Sequence, residues 1–186
     1  MDTHVCPWWL GYFLASPLRK LIQDPDTILK PYLREGMQIL EVGPGMGFFT
    51  LPMARLIGPR GKIFALDVQK KMLNSLKRRA EKRGLIDRIE PRLCPNSSLG
   101  IDDLGGRIDF ALAFAVLHEI PNIRSALSEI SHSLKTGGTL LISEPNSHVS
   151  AEEFQKTVNM AKDSGLSEIS APIIKRSRSI LMSKSK

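Results

Sequence analysis

Residues 41–47 read Glu41-Val42-Gly43-Pro44-Gly45-Met46-Gly47, and a short apolar run 20 residues beyond Gly47 ends in Asp67. Glycines at this density let a ligand approach the backbone, because no Cβ stands in the way. A helix opening after them adds unpaired N–H groups and a positive dipole end, which suits an anionic or carboxylate group. A carboxylate at the end of the next strand can accept hydrogen bonds from both hydroxyls of a ribose. Together these features describe a site for a ribose-containing cofactor. A nicotinamide dinucleotide is disfavoured: the spacing is GxGxG across Gly43, Gly45 and Gly47, with Phe48 next, so the third glycine of GxGxxG is missing. No Lys-Ser/Thr pair follows, which excludes a P-loop. His118 is the side chain best suited to acid–base work, since an ordinary imidazole titrates near pH 6.5.

The elements that must position these residues alternate. Gln38 to Val42 reads as a strand, Phe48 to Ile57 as a helix stopped by Gly58-Pro59-Arg60-Gly61, and Lys62 to Leu66 as a second strand ending at Asp67. Gln69 to Arg83 is an amphipathic helix with Met72, Leu73, Leu76 and Ala80 on one face and Gly84 at its C′ position. Ile89 to Leu93 is a weak third strand, since Pro91 lies inside it. Asp109 to Ala115 has no polar residue after Asp109, the pattern of a strand buried on both faces. His118 then emerges just beyond that strand. Asn122 to Leu134 reads as a helix stopped by Gly137-Gly138, and Thr139 to Ser143 as a buried strand. Ser150 and Glu153 form a capping-box pattern for a helix running to Ser164, and Leu166 to Ser170 and Ser179 to Met182 read as two last strands. Strands and helices alternating at this spacing imply a doubly wound, mostly parallel α/β sheet.

The chain has 186 residues, 42% hydrophobic and 24% charged, which implies one globular domain that needs no disulfide staples. Cys6 and Cys94 have neither a CxxC partner nor a His cluster, so no metal site is expected, and the usage fits a reducing compartment. No apolar run is long enough to span a membrane, and the start Met1-Asp2-Thr3-His4, with Pro7 following, does not read as a secretory signal. A cytoplasmic protein is the expectation. The net charge of +7 raises the question of nucleic acid. Nine basic residues fall within 69–92: Lys70, Lys71, Lys77, Arg78, Arg79, Lys82, Arg83, Arg88 and Arg92. No aromatic interleaves with them to stack bases, so they read as a solvated face.

LEVGPGMGFFT, ALDVQ, RIDFALAFAVLHEIP and LKTGGTLLISEP, in that order, resemble the successive motifs of class I S-adenosylmethionine-dependent methyltransferases of the small type 11 domain kind. The match runs from about Gly36 to Met182. The resemblance implies a Rossmann-like, seven-stranded sheet with helices on both faces and an antiparallel last strand inserted between its neighbours. It implies a core over 36–186 preceded by a segment, 1–35, whose aromatics Trp8, Trp9, Tyr12 and Phe13 would roof the acceptor pocket; the plainer reading is that they cover a sheet edge or mediate a dimer. It implies S-adenosyl-L-methionine as cofactor. Glu41, Gly43, Gly45 and Gly47 would wrap its methionine part, Asp67 would hold the ribose and Val68 would lie beside the adenine. Relatives often carry Gly-Asp-Ala after the third strand; here the stretch is Cys94-Pro95-Asn96-Ser97, in which Asn96, with Ser97, stands where the acid is missing. The backbone at Phe114 and Ala115 would meet the methionine amino group.

Several residues also have plainer readings. Glu41 either contacts the ligand or only orients N–H groups of the turn. Glu144, at a strand end, is either solvated surface or part of the site wall. Met46 packs the turn, Cys94 is a small buried hydrophobe, and His4, His132 and His148 are surface residues. The expected reaction is direct in-line methyl transfer to a small-molecule acceptor, apolar or aromatic, and His118 is either the base where a proton must leave or a residue that packs under the pocket and hydrogen-bonds the backbone. The alternatives are a nucleic-acid methyltransferase using the basic 69–92 surface and a non-catalytic cofactor-binding module. The expected assembly is a monomer or weak homodimer.

Overall fold

The computed structural model describes residues 23–95 and 98–185. The aromatic cluster Trp8, Trp9, Tyr12 and Phe13 and the site candidates Asn96 and Ser97 lie outside them. The chain divides into two compact units, with the boundary between Cys94 and Pro95.

The first unit contains α1 (Pro25–Leu29), β1 (Gln38–Val42), α2 (Thr50–Leu56), β2 (Lys62–Asp67), α3 (Lys70–Glu81) and β3 (Ile89–Leu93). Its strands are parallel: Gln38 to Val42 pair with Lys62 to Leu66, and Ile63 to Asp67 with Ile89 to Leu93. The β-branched and aliphatic residues Ile39, Leu40, Ile63 and Leu66 are fully buried. The apolar face of α3 is the expected one, with Met72, Leu73, Leu76 and Ala80 buried, and Gly84 (φ +62°) ends it while the Leu85 N–H returns to the Ala80 carbonyl at 3.0 Å. β3 forms in spite of Pro91, as the outermost strand, where a missing N–H need not face a neighbour. The helix expected from Phe48 begins only at Thr50, because Phe49 in the N-cap position offers no side-chain oxygen to the first turn.

The second unit contains β4 (Ile108–Phe114), α4 (Ile123–Ser133), β5 (Leu134–Pro145), α5 (Ala151–Asp163), β6 (Leu166–Ser170) and β7 (Ser177–Lys184). β4 is buried from Phe110 to Phe114, as its unbroken apolar run requires. β5 begins earlier than Thr139, directly at the end of α4. Ile108 pairs with Leu134 and Phe110 with Thr139, so Gly137-Gly138 lie in a bulge of the strand and do not precede it. Gly137 sits at φ +76°, and a Cβ on Gly138 would come within 2.9 Å of the Ile108 and Lys135 carbonyl oxygens, so both glycines are required by the bulge. α4 is capped by the Asn122 side chain and α5 by the reciprocal Ser150–Glu153 box. β7 runs antiparallel to both β5 and β6.

The strand order is β3-β2-β1 in the first unit and β4-β5-β7-β6 in the second, seven strands of a mixed, mostly parallel sheet flanked by helices. Among the described residues, no helix is long and apolar enough to cross a membrane.

Candidate functional site

In the first unit, the parallel register ends β1 and β2 at the same edge, and the chain leaves β1 through the glycine turn. Gly43, Gly45 and Gly47 all have positive φ (+73°, +54° and +89°), a conformation that favours glycine. Their surroundings differ. A Cβ on Gly47 would lie 2.6 Å from Leu76 Cδ1 and 3.3 Å from Leu51 Cγ, so this glycine exists for packing. A Cβ on Gly45 would meet nothing within 4 Å, so the backbone there borders open space. Met46 is buried and its carbonyl accepts a hydrogen bond from Arg79 Nη1 at 2.9 Å, which ties the turn to α3.

Asp67 closes the turn. Its Oδ2 accepts the Gly45 N–H at 3.3 Å and its Oδ1 the Gln69 N–H at 2.8 Å. A carboxylate oxygen accepts more than one hydrogen bond, so both oxygens can still serve ribose hydroxyls. Val68, next in sequence, is 52% exposed, an apolar surface beside that carboxylate. Cys94 is half-buried, where full burial was expected; its N–H donates to the Asp67 carbonyl at 3.0 Å, which places it at the rim of the same edge.

Glu41 is 3% exposed on β1, and its Oε2 has no hydrogen-bond partner among the described residues. Burial is the main reason its carboxyl is pushed up to about 8. The nearby Thr50 hydroxyl opposes the shift, although it does not reach good hydrogen-bond geometry, and the Asp67 charge adds to it. The carboxyl orients no backbone N–H through Oε2, which leaves a buried polar atom available to a ligand.

In the second unit, Phe114 ends β4 and Ala115 takes φ +54°, its N–H donating to the Ser143 carbonyl at 2.7 Å. This left-handed residue turns the chain out of the sheet into a short 3-10 turn, Leu117–Glu119, which carries His118. Glu144 lies near the end of the neighbouring strand β5 and is 2% exposed. Its Oε1 accepts the Leu117 N–H at 2.8 Å and its Oε2 lies 2.5 Å from His118 Nδ1. His118 Nε2 is 4.0 Å from Glu119 Oε1, and a quarter of the imidazole side chain is exposed. The hydrogen bond to Glu144 holds the His118 pKa above its ordinary value, against the opposing effect of partial burial and with help from the Glu144 and Glu119 charges. The His148 ring meets the His118 ring edge-on at 5.7 Å, so His148, exposed as expected, is not a residue without company.

Sequence reasoning left Glu144 open between surface and site wall; the structure makes it a buried carboxylate bonded to His118. The signal was available in principle: a Glu ending one buried strand and a His just after another. It could be used only once β4 and β5 were known to be neighbours. Of the nine basic residues in 69–92, at least five have a local partner: Arg78 the Ser75 hydroxyl, Arg79 the Met46 carbonyl, Arg83 the Arg79 carbonyl, Arg88 the Ala54 carbonyl and Arg92 the Glu90 carboxylate. Among the described residues, no group of three or more His, Cys, Asp or Glu side chains could hold a metal ion.

The model of the methyltransferase-domain family matches residues 33–181. The chain belongs to that family. A demethylmenaquinone methyltransferase of a Geobacillus species is 25% identical over 126 residues, covering 68% of this chain and 53% of the relative. A ubiquinone/menaquinone biosynthesis C-methyltransferase of Brucella canis is 32% identical over 117 residues, covering 62% of this chain and 42% of the relative. The chain thus spans about a third to about half the length of the curated relatives it matches. Among solved structures, a SAM-dependent methyltransferase from Aquifex aeolicus shares the fold at a TM-score of 0.86 with 23% identity, covering 97% of this chain and all of that one.

The similar methyltransferase from Aquifex aeolicus is named for its dependence on S-adenosylmethionine. The first unit fits that group on its own geometry. Open space above Gly45 admits a ligand against the backbone, the Asp67 oxygens can take two hydroxyls, and the unpartnered Glu41 oxygen can take a polar hydrogen.

Proposed function

We propose that this enzyme methylates a small-molecule acceptor, apolar or aromatic, whose attacking atom carries a proton that His118 removes. When bound, S-adenosylmethionine would supply the methyl group for in-line transfer, the electron pair of the broken S–C bond staying on a sulfur that becomes a neutral thioether. In this reading Glu41, Gly43, Gly45 and Gly47 cradle the methionine part, Asp67 takes the ribose hydroxyls, and Val68 covers the adenine. Asn96 and Ser97 stand at the adenine amino group, and the backbone at Phe114 and Ala115 takes the methionine amino group. The observation that carries the acid–base assignment is the imidazole of His118, partly exposed and held at 2.5 Å by a buried carboxylate at the end of a buried strand. The relatives named above are named for methylation in quinone biosynthesis, and a ring acceptor of that chemistry agrees with the apolar acceptor proposed here. The inward ties of Arg79, Arg88 and Arg92 reduce the basic surface a nucleic acid would need.

The test is transfer of a radiolabelled methyl group from S-adenosylmethionine to a panel of phenols and hydroquinones, with total RNA as the competing acceptor. Labelled phenolic product and no labelled RNA is the expected result. His118→Gln should lower kcat by about 100-fold or more, the usual share of a general base. Because the base must be neutral and its pKa is raised, wild-type kcat/KM should fall as pH drops through a value above 6.5. Label found only in RNA defeats the small-molecule reading, and a fully active His118→Gln variant removes the base.

A further inference from the structure

We propose that Glu144 is the positioning residue of this reaction: its carboxylate takes the Nδ1–H of His118, so that the lone pair receiving the acceptor's proton sits on Nε2. The inference rests on the reading of His118 as the base and adds how the base is prepared.

The geometry leaves little freedom. Glu144 is almost wholly buried, and each of its oxygens has one close partner, the Leu117 N–H at 2.8 Å and His118 Nδ1 at 2.5 Å. The Leu117 amide can only donate, so Oε1 must accept. An ionised carboxylate is an acceptor at both oxygens, and Nδ1 must then carry the hydrogen. A neutral imidazole has one N–H, so fixing it on Nδ1 leaves Nε2 as the proton acceptor. When Nε2 takes a proton, the imidazolium lies against a carboxylate already in place, which needs no rearrangement at that moment. The Leu117 contact also anchors the 3-10 turn that carries His118, so one side chain sets both the place of the ring and its tautomer. Among the described residues, Glu119, 4.0 Å from Nε2, and His148, whose ring lies edge-on at 5.7 Å, also face the ring, and the carboxylate against Nδ1 is that of Glu144.

The variant that separates positioning from packing is Glu144→Gln. Its amide oxygen must still face the Leu117 N–H, since turning the amide over would set two donors against each other. The amide NH2 then faces Nδ1 and donates to it, which moves the imidazole hydrogen to Nε2 and removes the base without removing the ring.

The experiment is 15N NMR of the four histidines in the full chain with S-adenosylmethionine bound and no acceptor present, the His118 signals being assigned by their loss in His118→Gln. Wild type should show the hydrogen on Nδ1. Glu144→Gln should show it on Nε2, with the His118 pKa lowered, and Glu144→Asp should retain the wild-type tautomer. A wild-type spectrum with the hydrogen on Nε2 overturns the proposal without any variant, so a Glu144→Gln protein that does not fold leaves it still open to refutation. An unchanged tautomer in folded Glu144→Gln also overturns it. In the phenol assay, Glu144→Gln should lose about 100-fold or more in kcat with little change in donor KM, as expected for a wrong-tautomer imidazole. An active His118→Gln variant defeats the base itself, an outcome read separately from the tautomer.

Discussion

Replacing Glu41 by Gln should change how the stability of the ligand-free protein depends on pH, by an amount that follows from the burial of one carboxyl. Glu41 is enclosed on β1, and its carboxyl titrates at about 8 in the folded chain against 4.5 in the unfolded one. Between those values the folded state holds a proton that the unfolded state has released. Raising the pH therefore favours unfolding, and the effect levels off above 8. At about 1.4 kcal/mol per pKa unit, wild type should lose about 3 kcal/mol from this group between pH 5 and pH 7.5. Gln is close in shape and never ionises, so its variant lacks that slope. Any fixed cost of burying the amide is the same at every pH. Urea unfolding of both proteins at pH 5, 6 and 7.5 gives the difference directly, and other titrating groups cancel in it. The Gln variant should gain about 3 kcal/mol on wild type across the range. Parallel stability curves would refute the reasoning and show that Glu41 is solvated or paired in solution.

Asp67→Ala should weaken binding of S-adenosylmethionine by about 1.5–3 kcal/mol, the range for hydrogen bonds to a charged group, and unchanged affinity by calorimetry removes Asp67 from the site. The two turn glycines should separate. Gly47→Ala puts a methyl 2.6 Å from Leu76 at φ +89° and should cost about 2–4 kcal/mol of stability in urea unfolding. Gly45→Ala meets no atom, so it should cost only the left-handed strain of about 1–2 kcal/mol while lowering donor affinity about tenfold or more.

The sequence carried most of the fold because local signals and long-range order agreed. The strands Gln38–Val42, Ile89–Leu93 and Leu166–Ser170 form with the expected bounds, and the caps at Asn122 and Ser150 form as their side chains dictate. The misses have different causes. Gly137-Gly138 looks like a helix stop and is one residue pair of a bulge, which only the Ile108–Leu134 pairing reveals. The late start of α2 follows from Phe49, a residue that cannot cap. At the site, Asp67 could be placed from sequence because strand end and glycine turn are near in the chain. Glu144 could not, since His118 lies 26 residues before it and the two meet only through the β4–β5 pairing.

β7 follows β6 in the chain yet lies between β5 and β6 in the sheet. This order has a consequence for biosynthesis. β5 leaves the ribosome well before β7, and until residues 177–184 emerge its open flank offers unpaired N–H and C=O groups along Leu140, Leu141 and Ile142. Such an edge invites pairing with other nascent chains. β6 cannot shield it, since in the described structure β6 pairs only with β7. The strand carrying Glu144 is therefore completed on that flank only once β7 has emerged, and β7 acts as the closing piece of that unit, whatever was folded before it.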